Sequence, residues 1–314
     1  MGIEKIPAAD RAAWLSLRRR DVTASSAAAL LGAHPFVTAF QLWHLKNGTL
    51  SEDPEMTPAM ERGTLLEPVA VQLLRKLKPD WIIKHNSGRD QFYWRDSERR
   101  IGATPDVLID DDGVLGVVQI KSVEPMVFRE KWLLEGKLSR PESWVVEPPT
   151  YVVIQAIVEA HLTGAQAAYV TPLVVMHGLE MPIVPIPIHA GVIKRLTDEV
   201  ASFWASVEAG QEPPPDWRKD ASLLNELGRT DNGREIDLSG DNRIQELLAT
   251  RSDLKAKAKA DSEVLEEIEG EIIAKLGEYE RAYVPGWVLK RPTISRKAYT
   301  AKASSYRRLD VKRI

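Results

Sequence analysis

Apolar and polar positions alternate along two neighbouring runs in the first half of the chain. Asp106-Val107-Leu108-Ile109 and Val114-Leu115-Gly116-Val117-Val118 carry the aliphatic residues that a pleated surface favours. Between them, Asp110-Asp111-Asp112-Gly113 is turn chemistry. Strands are therefore predicted over 105–110 and 114–121, paired as a hairpin. Side chains alternate along a strand, so Gln119 and Lys121 share one face and Ile120 points into the core. Asp106 falls opposite them. A helical period replaces the alternation over 58–77, where Leu66, Val69, Leu73 and Leu77 form one stripe. Pro68 is unfavourable inside a helix, so the regular turn is expected to begin near it. Two short helices are predicted within 10–47, one starting near Thr23 or Ser25 and running through alanines and leucines to Gly32. Further strands are predicted at 81–86, 91–94, 166–175 and 182–188, with helices at 149–162, ending at Thr163-Gly164, and at 190–209. This succession gives an α/β core.

The pattern changes after Gly210-Gln211-Glu212-Pro213-Pro214-Pro215-Asp216, because three consecutive prolines cannot continue a helix. The expected organisation is a core over 1–210, a proline-containing connector over 211–240 and an extension over 241–314. Within the extension Ile244, Leu247, Arg251, Leu254, Ala258, Asp261, Leu265, Ile268 and Ile272 step by four and three, a heptad-like seam holding one arginine and one aspartate. A helix or helical hairpin packed on the core is the ordinary reading, and an oligomeric seam is the other. Beyond it, Tyr283, Trp287, Tyr299 and Tyr306 are interleaved with basic residues, which suits either base stacking and phosphate contact or a small hairpin with a solvated basic face.

Composition narrows the classes. With 314 residues, 44% hydrophobic and 28% charged, the chain has the make-up of an ordinary soluble protein with a substantial core. The lack of any cysteine excludes disulfides, thiolate catalysis and cysteine-based zinc or iron–sulfur sites. Met1-Gly2-Ile3-Glu4-Lys5 does not open a signal peptide, and the apolar run that a membrane helix requires is missing, so a cytoplasmic protein with no membrane partner is expected. Net charge is −3, but it is unevenly spread: residues 281–314 hold ten Lys and Arg against one acidic residue, +9, which leaves −12 on the rest. Any nucleic acid must then enter a locally basic channel or be attracted by the tail.

The hairpin carries the candidate chemistry. Asp106, Gln119 and Lys121 place a carboxylate, an amide oxygen and an ammonium around one point, an arrangement suited to a hard cation beside a phosphate. Lysine there orients an attacking water or stabilises developing charge. Gln119 is anomalous, since its carbonyl brings no negative charge. Taken alone, such a pattern is equally a hairpin with solvent-facing polar residues. His34, His44, His85, His161, His177 and His189 lack zinc-site spacing and are read as structural or surface residues. Ser25 and Ser26 have no histidine at a telling spacing, which argues against a serine hydrolase. Trp132, Trp144, Glu147 and Pro148-Pro149 are read as shaping a loop over the site.

Other segments raise the specificity. Trp14-Leu15-Ser16-Leu17-Arg18 leads into Thr23-Ala24-Ser25; then come Phe40-Gln41-Leu42-Trp43, Met60-Glu61-Arg62-Gly63-Thr64-Leu65-Leu66-Glu67-Pro68 and Tyr151-Val152-Val153-Ile154-Gln155. With the hairpin, these five motifs over roughly residues 10 to 205 resemble, in order, the YqaJ-type viral recombinase family, phage exonucleases similar to lambda exonuclease within the PD-(D/E)XK superfamily. The resemblance implies a PD-(D/E)XK core, a mixed central sheet flanked by helices, with a C-terminal helical extension. It implies that Arg18 and Ser25 meet a terminal 5′-phosphate and that Glu67 and Asp106 hold metal. Gln119 takes the place of the second metal-binding carboxylate, the Ile120 backbone carbonyl joins the ligands, and Lys121 is the catalytic lysine. Gln155 matches the first glutamine of a Gln-x-Gln motif whose second position is here Ile157. The implied cofactor is magnesium, with manganese as a substitute. The implied partners are double-stranded DNA ends, a single-strand annealing protein and further copies of the chain in a ring-shaped trimer.

Three functions follow from this reading. The first is a magnesium-dependent 5′–3′ exonuclease acting at duplex ends in recombination. The second is an endonuclease or nickase on the same fold. The third is a DNA-end-binding protein whose catalysis Gln119 impairs, the substitution being either natural or introduced.

Overall fold

Caps rather than long apolar stripes organise the first fifty residues of the computed structural model, which describes residues 2–51, 56–228, 233–295 and 311. Strand β1 (Glu4–Pro7) leads to helix α1 (Arg11–Arg20), where the Asp10 carboxylate accepts from the Ala13 amide at 2.9 Å. After β2 (Val22–Thr23), Thr23 opens α2 (Ala24–Ala27) in a capping box with Ser26. The helix expected to reach Gly32 is thus a single turn. Its alanines and those that follow, Ala28 and Ala29, are packed into the core, and this packing rather than helix propensity sets the local path. Three helices, not two, lie within 10–47, the third being α3 (Ala39–Lys46), capped by Thr38.

Helix α4 (Pro58–Leu77) covers the expected span but runs unbroken through Pro68. Pro68 lacks only the amide that would bond the Thr64 carbonyl. Ala70, Val71 and Leu74 beyond it are buried against the sheet, and their burial outweighs that loss. The buried stripe is shifted from the expected one, leaving Leu77 47% exposed.

Three strands and the predicted hairpin come next in the chain: β3 (Ile82–His85), β4 (Phe92–Asp96) and β5 (Ile101–Ala103), then β6 (Val107–Asp111) and β7 (Val114–Val123). The β6–β7 register pairs Val107 with Val118, across a loop in which Asp112 and Gly113 have φ of 52° and 86°. The remainder of this part comprises α5 (Pro125–Lys131), β8 (Leu133–Glu135), β9 (Val145–Val146), α6 (Thr150–Thr163), β10 (Ala167–Val175), β11 (Leu179–Glu180), β12 (Val184–Pro185), α7 (Ala190–Glu208) and α8 (Ala221–Leu227). Glycine at 164 ends α6 in the left-handed region, φ 72°.

The larger sheet has the order β11-β10-β7-β6-β3, with β12 also on β10. It is mixed: β7 and β10 are parallel, joined through α6, while β6 is antiparallel to both of its neighbours. Val118, Ile120, Val107 and Ile109 pack on the α4 side, and Val117 and Val170 pack on the α6 side. A smaller sheet, β1-β4-β5-β2, includes the short strands β1, β2 and β5, none of which periodicity predicts. The architecture is therefore the expected mixed sheet between helices.

Two compact units divide the chain, Met1–Leu227 and Gly228–Ile314. Residues 216–227 belong to the first, anchored by buried Asp220, which accepts from the Thr38 hydroxyl and the Asp216 amide, both at 2.8 Å. In the second unit Asp241 caps α9 (Asn242–Leu276), one continuous helix and not a hairpin, followed by the antiparallel pair β13 (Arg281–Val284) and β14 (Trp287–Lys290). Leu254 and Leu265 of the heptad-like seam are exposed. Tyr283 and Trp287 are exposed on the β13–β14 hairpin, while Tyr299 and Tyr306 lie outside the described residues. Among the described residues no helix is long and apolar enough to cross a membrane.

Candidate active site

The end of β7 and the residue before β6 face a cavity of about 430 Å³. Asp106 is held there by local structure. Asn86 donates to the Pro105 carbonyl at 2.8 Å and to the Phe92 carbonyl at 3.0 Å, and its own amide bonds the Asp106 carbonyl at 3.0 Å. The β3–β4 loop thereby fixes the backbone on which the carboxylate sits. Asp106 Oδ2 accepts the Ile120 amide at 2.8 Å and a short hydrogen bond from Gln119 Nε2.

Gln119 is 2% exposed and belongs to an ordered chain of donors. Lys121 Nζ, which can only donate, bonds Gln155 Oε1 at 3.0 Å. Gln155 must then turn its amino group inward, and it donates to Gln119 Oε1 and to Glu159 Oε1, both at 2.8 Å. Gln119 is forced in turn to direct its own amino group at Asp106 and at the Ile120 carbonyl, 3.2 Å away. The amide nitrogen therefore lies between two oxygens expected to hold a metal. A cation there requires Gln119 to turn over or move aside.

Glu67, on α4, lines the same cavity, and its Oε1 lies 2.7 Å from His85 Nε2. Ser87 Oγ lies 3.1 Å from the other ring nitrogen, so His85 is oriented from both sides. In the same cavity the Arg18 guanidinium lies over the Trp14 ring, 4.5 Å from its centre, and Trp14 Nε1 donates to Thr104 Oγ1 at 2.9 Å. Arg18 Nη2 is 3.4 Å from Ser25 Oγ, whose hydroxyl also meets Thr23 Oγ1 at 3.1 Å.

The electrostatics are those of crowded carboxylates. Burial first, and the Glu67 charge second, push the Asp106 carboxyl up to about 7, against the opposing pull of Lys121 and the Ile120 amide. Burial, followed by the Asp106 charge, holds Glu159 well above the usual carboxylate range. Asp106, Glu67 and the Ile120 carbonyl are hard oxygen donors of the kind magnesium takes, although among the described residues no three acidic or histidine side chains are already gathered closely enough to hold a metal ion. A divalent ion held by these oxygens would supply charge neutralisation at phosphorus oxygens and a more acidic water.

The cavity thus brings together Arg18, Ser25, Glu67, Asp106, Gln119, Lys121 and Gln155 from four separate segments. The Ile120 carbonyl faces the Gln119 amide within the same strand. Glu159 and His85 were not singled out from sequence for this site. The signal for Glu159 was its position four residues after Gln155 on one helix face; His85 had none, because its link to Glu67 is purely spatial.

Residues 13–166 match the family described as the YqaJ-like viral recombinase domain. Among solved structures, the chain is similar to an alkaline exonuclease (LHK-Exo) from Laribacter hongkongensis, with 21% identity over 67% of this chain and 98% of that one and a TM-score of 0.48. The same exonuclease in complex with dAMP aligns at 21% identity over 67% and 98%, with a TM-score of 0.45. The protein of a SOX–DNA complex aligns at 10% identity over 66% and 70%, with a TM-score of 0.40. Comparison with curated proteins gives no match.

Proposed function

We propose that this chain, which carries a YqaJ-like viral recombinase domain over residues 13–166, is a magnesium-dependent deoxyribonuclease that loads at duplex ends and removes one strand 5′ to 3′. The observation that carries this reading is the convergence of Arg18 and Ser25 with Glu67, Asp106 and Lys121 on one cavity. An arginine held over the Trp14 ring and beside a hydroxyl suits a terminal phosphate, which offers more charge than an internal one. Lys121 then lies where a phosphoryl oxygen or attacking water would be held, and Gln155 fixes its ammonium. Manganese is a plausible replacement for magnesium at such oxygen donors. The single strand left behind would pass to an annealing protein, and a ring of identical chains would keep the enzyme on its track.

The test is digestion of linear duplex DNA with and without a 5′-phosphate, in magnesium, beside a closed circle. Loss of the phosphorylated linear form alone supports end loading. Loss of the circle favours an endonuclease and overturns the exonuclease reading. Lys121→Ala is expected to lower cleavage by roughly 100-fold or more while leaving end binding intact. A second reading has its own observation: the Gln119 amino group occupies the space between Asp106 and the Ile120 carbonyl. On that reading the protein holds DNA ends without cutting them, and neither substrate is degraded although both linear forms are bound.

A further inference from the structure

Glu159 is the buried acid that the fold leaves unexplained. It lies on α6 one turn beyond Gln155, is 1% exposed, and lines the cavity shared by Asp106 and Lys121. Its Oε1 receives only an amide hydrogen bond, from Gln155 at 2.8 Å, and its Oε2 receives none. Among the described residues it forms no ion pair, and burying a carboxylate so poorly compensated is costly. Protonation removes the charge but leaves an Oε2 hydroxyl without an acceptor. The orphaned oxygen calls for a positively charged occupant of the cavity.

The neighbouring strand supplies the complementary deficit. Gln119 contributes no charge to the cation site, and one oxygen of Glu67 is engaged by His85. Gln119 Oε1 and Glu159 Oε1 are both 2.8 Å from the same Gln155 nitrogen, so the missing acid and the surplus acid are neighbours across one amide. We propose that Glu159 is the second anionic group of this cation site, doing from helix α6 what a carboxylate at position 119 would do from strand β7. The proposal rests on the metal-dependent reading above. It deepens that reading by relocating one of its charges: the site keeps its total charge while the acid moves from strand to helix. In the structure the neutral amides of Gln119 and Gln155 link Asp106 to Glu159.

Manganese titration, followed by electron paramagnetic resonance and by calorimetry, tests this without reference to cleavage. The wild type, Glu159→Gln, Gln119→Glu and the double variant Gln119→Glu/Glu159→Gln are compared. Glu159→Gln keeps shape and volume, and thermal unfolding in chelator checks that it folds; its melting temperature should be no lower than that of the wild type. Manganese affinity should fall tenfold or more in Glu159→Gln and return to within threefold of wild type in the double variant. Unchanged affinity in Glu159→Gln would overturn the proposal, as would a loss that the double variant fails to rescue, or a wild type that binds no manganese. If the affinity pattern holds but no DNA is cut, the relocated ligand stands and the nuclease reading fails. If DNA is cut with Glu159→Gln binding manganese normally, the reverse applies.

Discussion

The polarity of the Lys121–Gln155–Gln119 chain follows from one donor-only group. An ammonium cannot accept, so every amide downstream takes a single orientation, and Asp106 ends up surrounded by N–H groups. This consumes part of its negative charge, yet burial and Glu67 still raise its proton affinity. A carboxyl whose folded value lies above its unfolded one stabilises the fold at low pH and loses that contribution as pH rises. In chelator, the wild type should therefore lose stability relative to Asp106→Asn as pH climbs from 3.8 through about 7, and Glu159 acts in the same direction. Thermal unfolding across that range reads the difference; curves that stay parallel would refute it.

At the level of elements, the wall that carries Arg18 is tied to the smaller sheet through Asp21. This aspartate ends α1, is fully buried, and accepts from Arg95 Nε at 2.9 Å and from the Tyr93 hydroxyl at 3.1 Å. Tyr93 reaches it by lying across Gly102, where any Cβ would collide with the phenol oxygen. Gly102→Ala should displace Tyr93, leave Asp21 short of a donor and lower unfolding free energy by about 3 kcal/mol, measured by denaturant titration. A change below about 0.5 kcal/mol would mean that the strand pair shifts to make room. Helix α4 shows the same subordination of local preference to packing, since it carries Glu67 one residue before a proline and remains helical.

Across the whole molecule, an acidic body and a basic tail divide the electrostatic work. Long-range attraction for a polyanion resides in the last 34 residues, with +9 against −12 elsewhere, whereas the cavity offers local positive charge from Arg11, Arg18 and Lys121. Removing residues 296–314 deletes seven of the tail's ten basic residues. Under the proposed function, the plot of log affinity for duplex ends against log salt should flatten by about 0.9 for each phosphate that those residues neutralise, while preference for a 5′-phosphate is retained. An unchanged slope would show that the tail plays no part in binding DNA.

Sequence by itself determined the elements whose signals are local. The 106–121 hairpin was legible because strand alternation and an Asp-Gly turn agree, α4 because of its helical period, and α6 and α7 because a glycine, Gly164 or Gly210, follows the last turn. The ordered motifs also singled out Arg18, Ser25, Glu67, Asp106, Gln119, Lys121 and Gln155, which line one cavity. Strands β1, β2 and β5 were not legible, since elements of two to four residues contain too few positions to show a period and exist only because a neighbour pairs with them. The path through Pro68 was likewise decided by the buried side chains beyond it. The tertiary structure alone decided which way Gln119 faces, that His85 orients Glu67, and that Glu159, in the same cavity, keeps one oxygen without a hydrogen-bond partner. Each depends on atoms distant in sequence competing for the same hydrogen-bonding space, and no pattern along the chain records that competition.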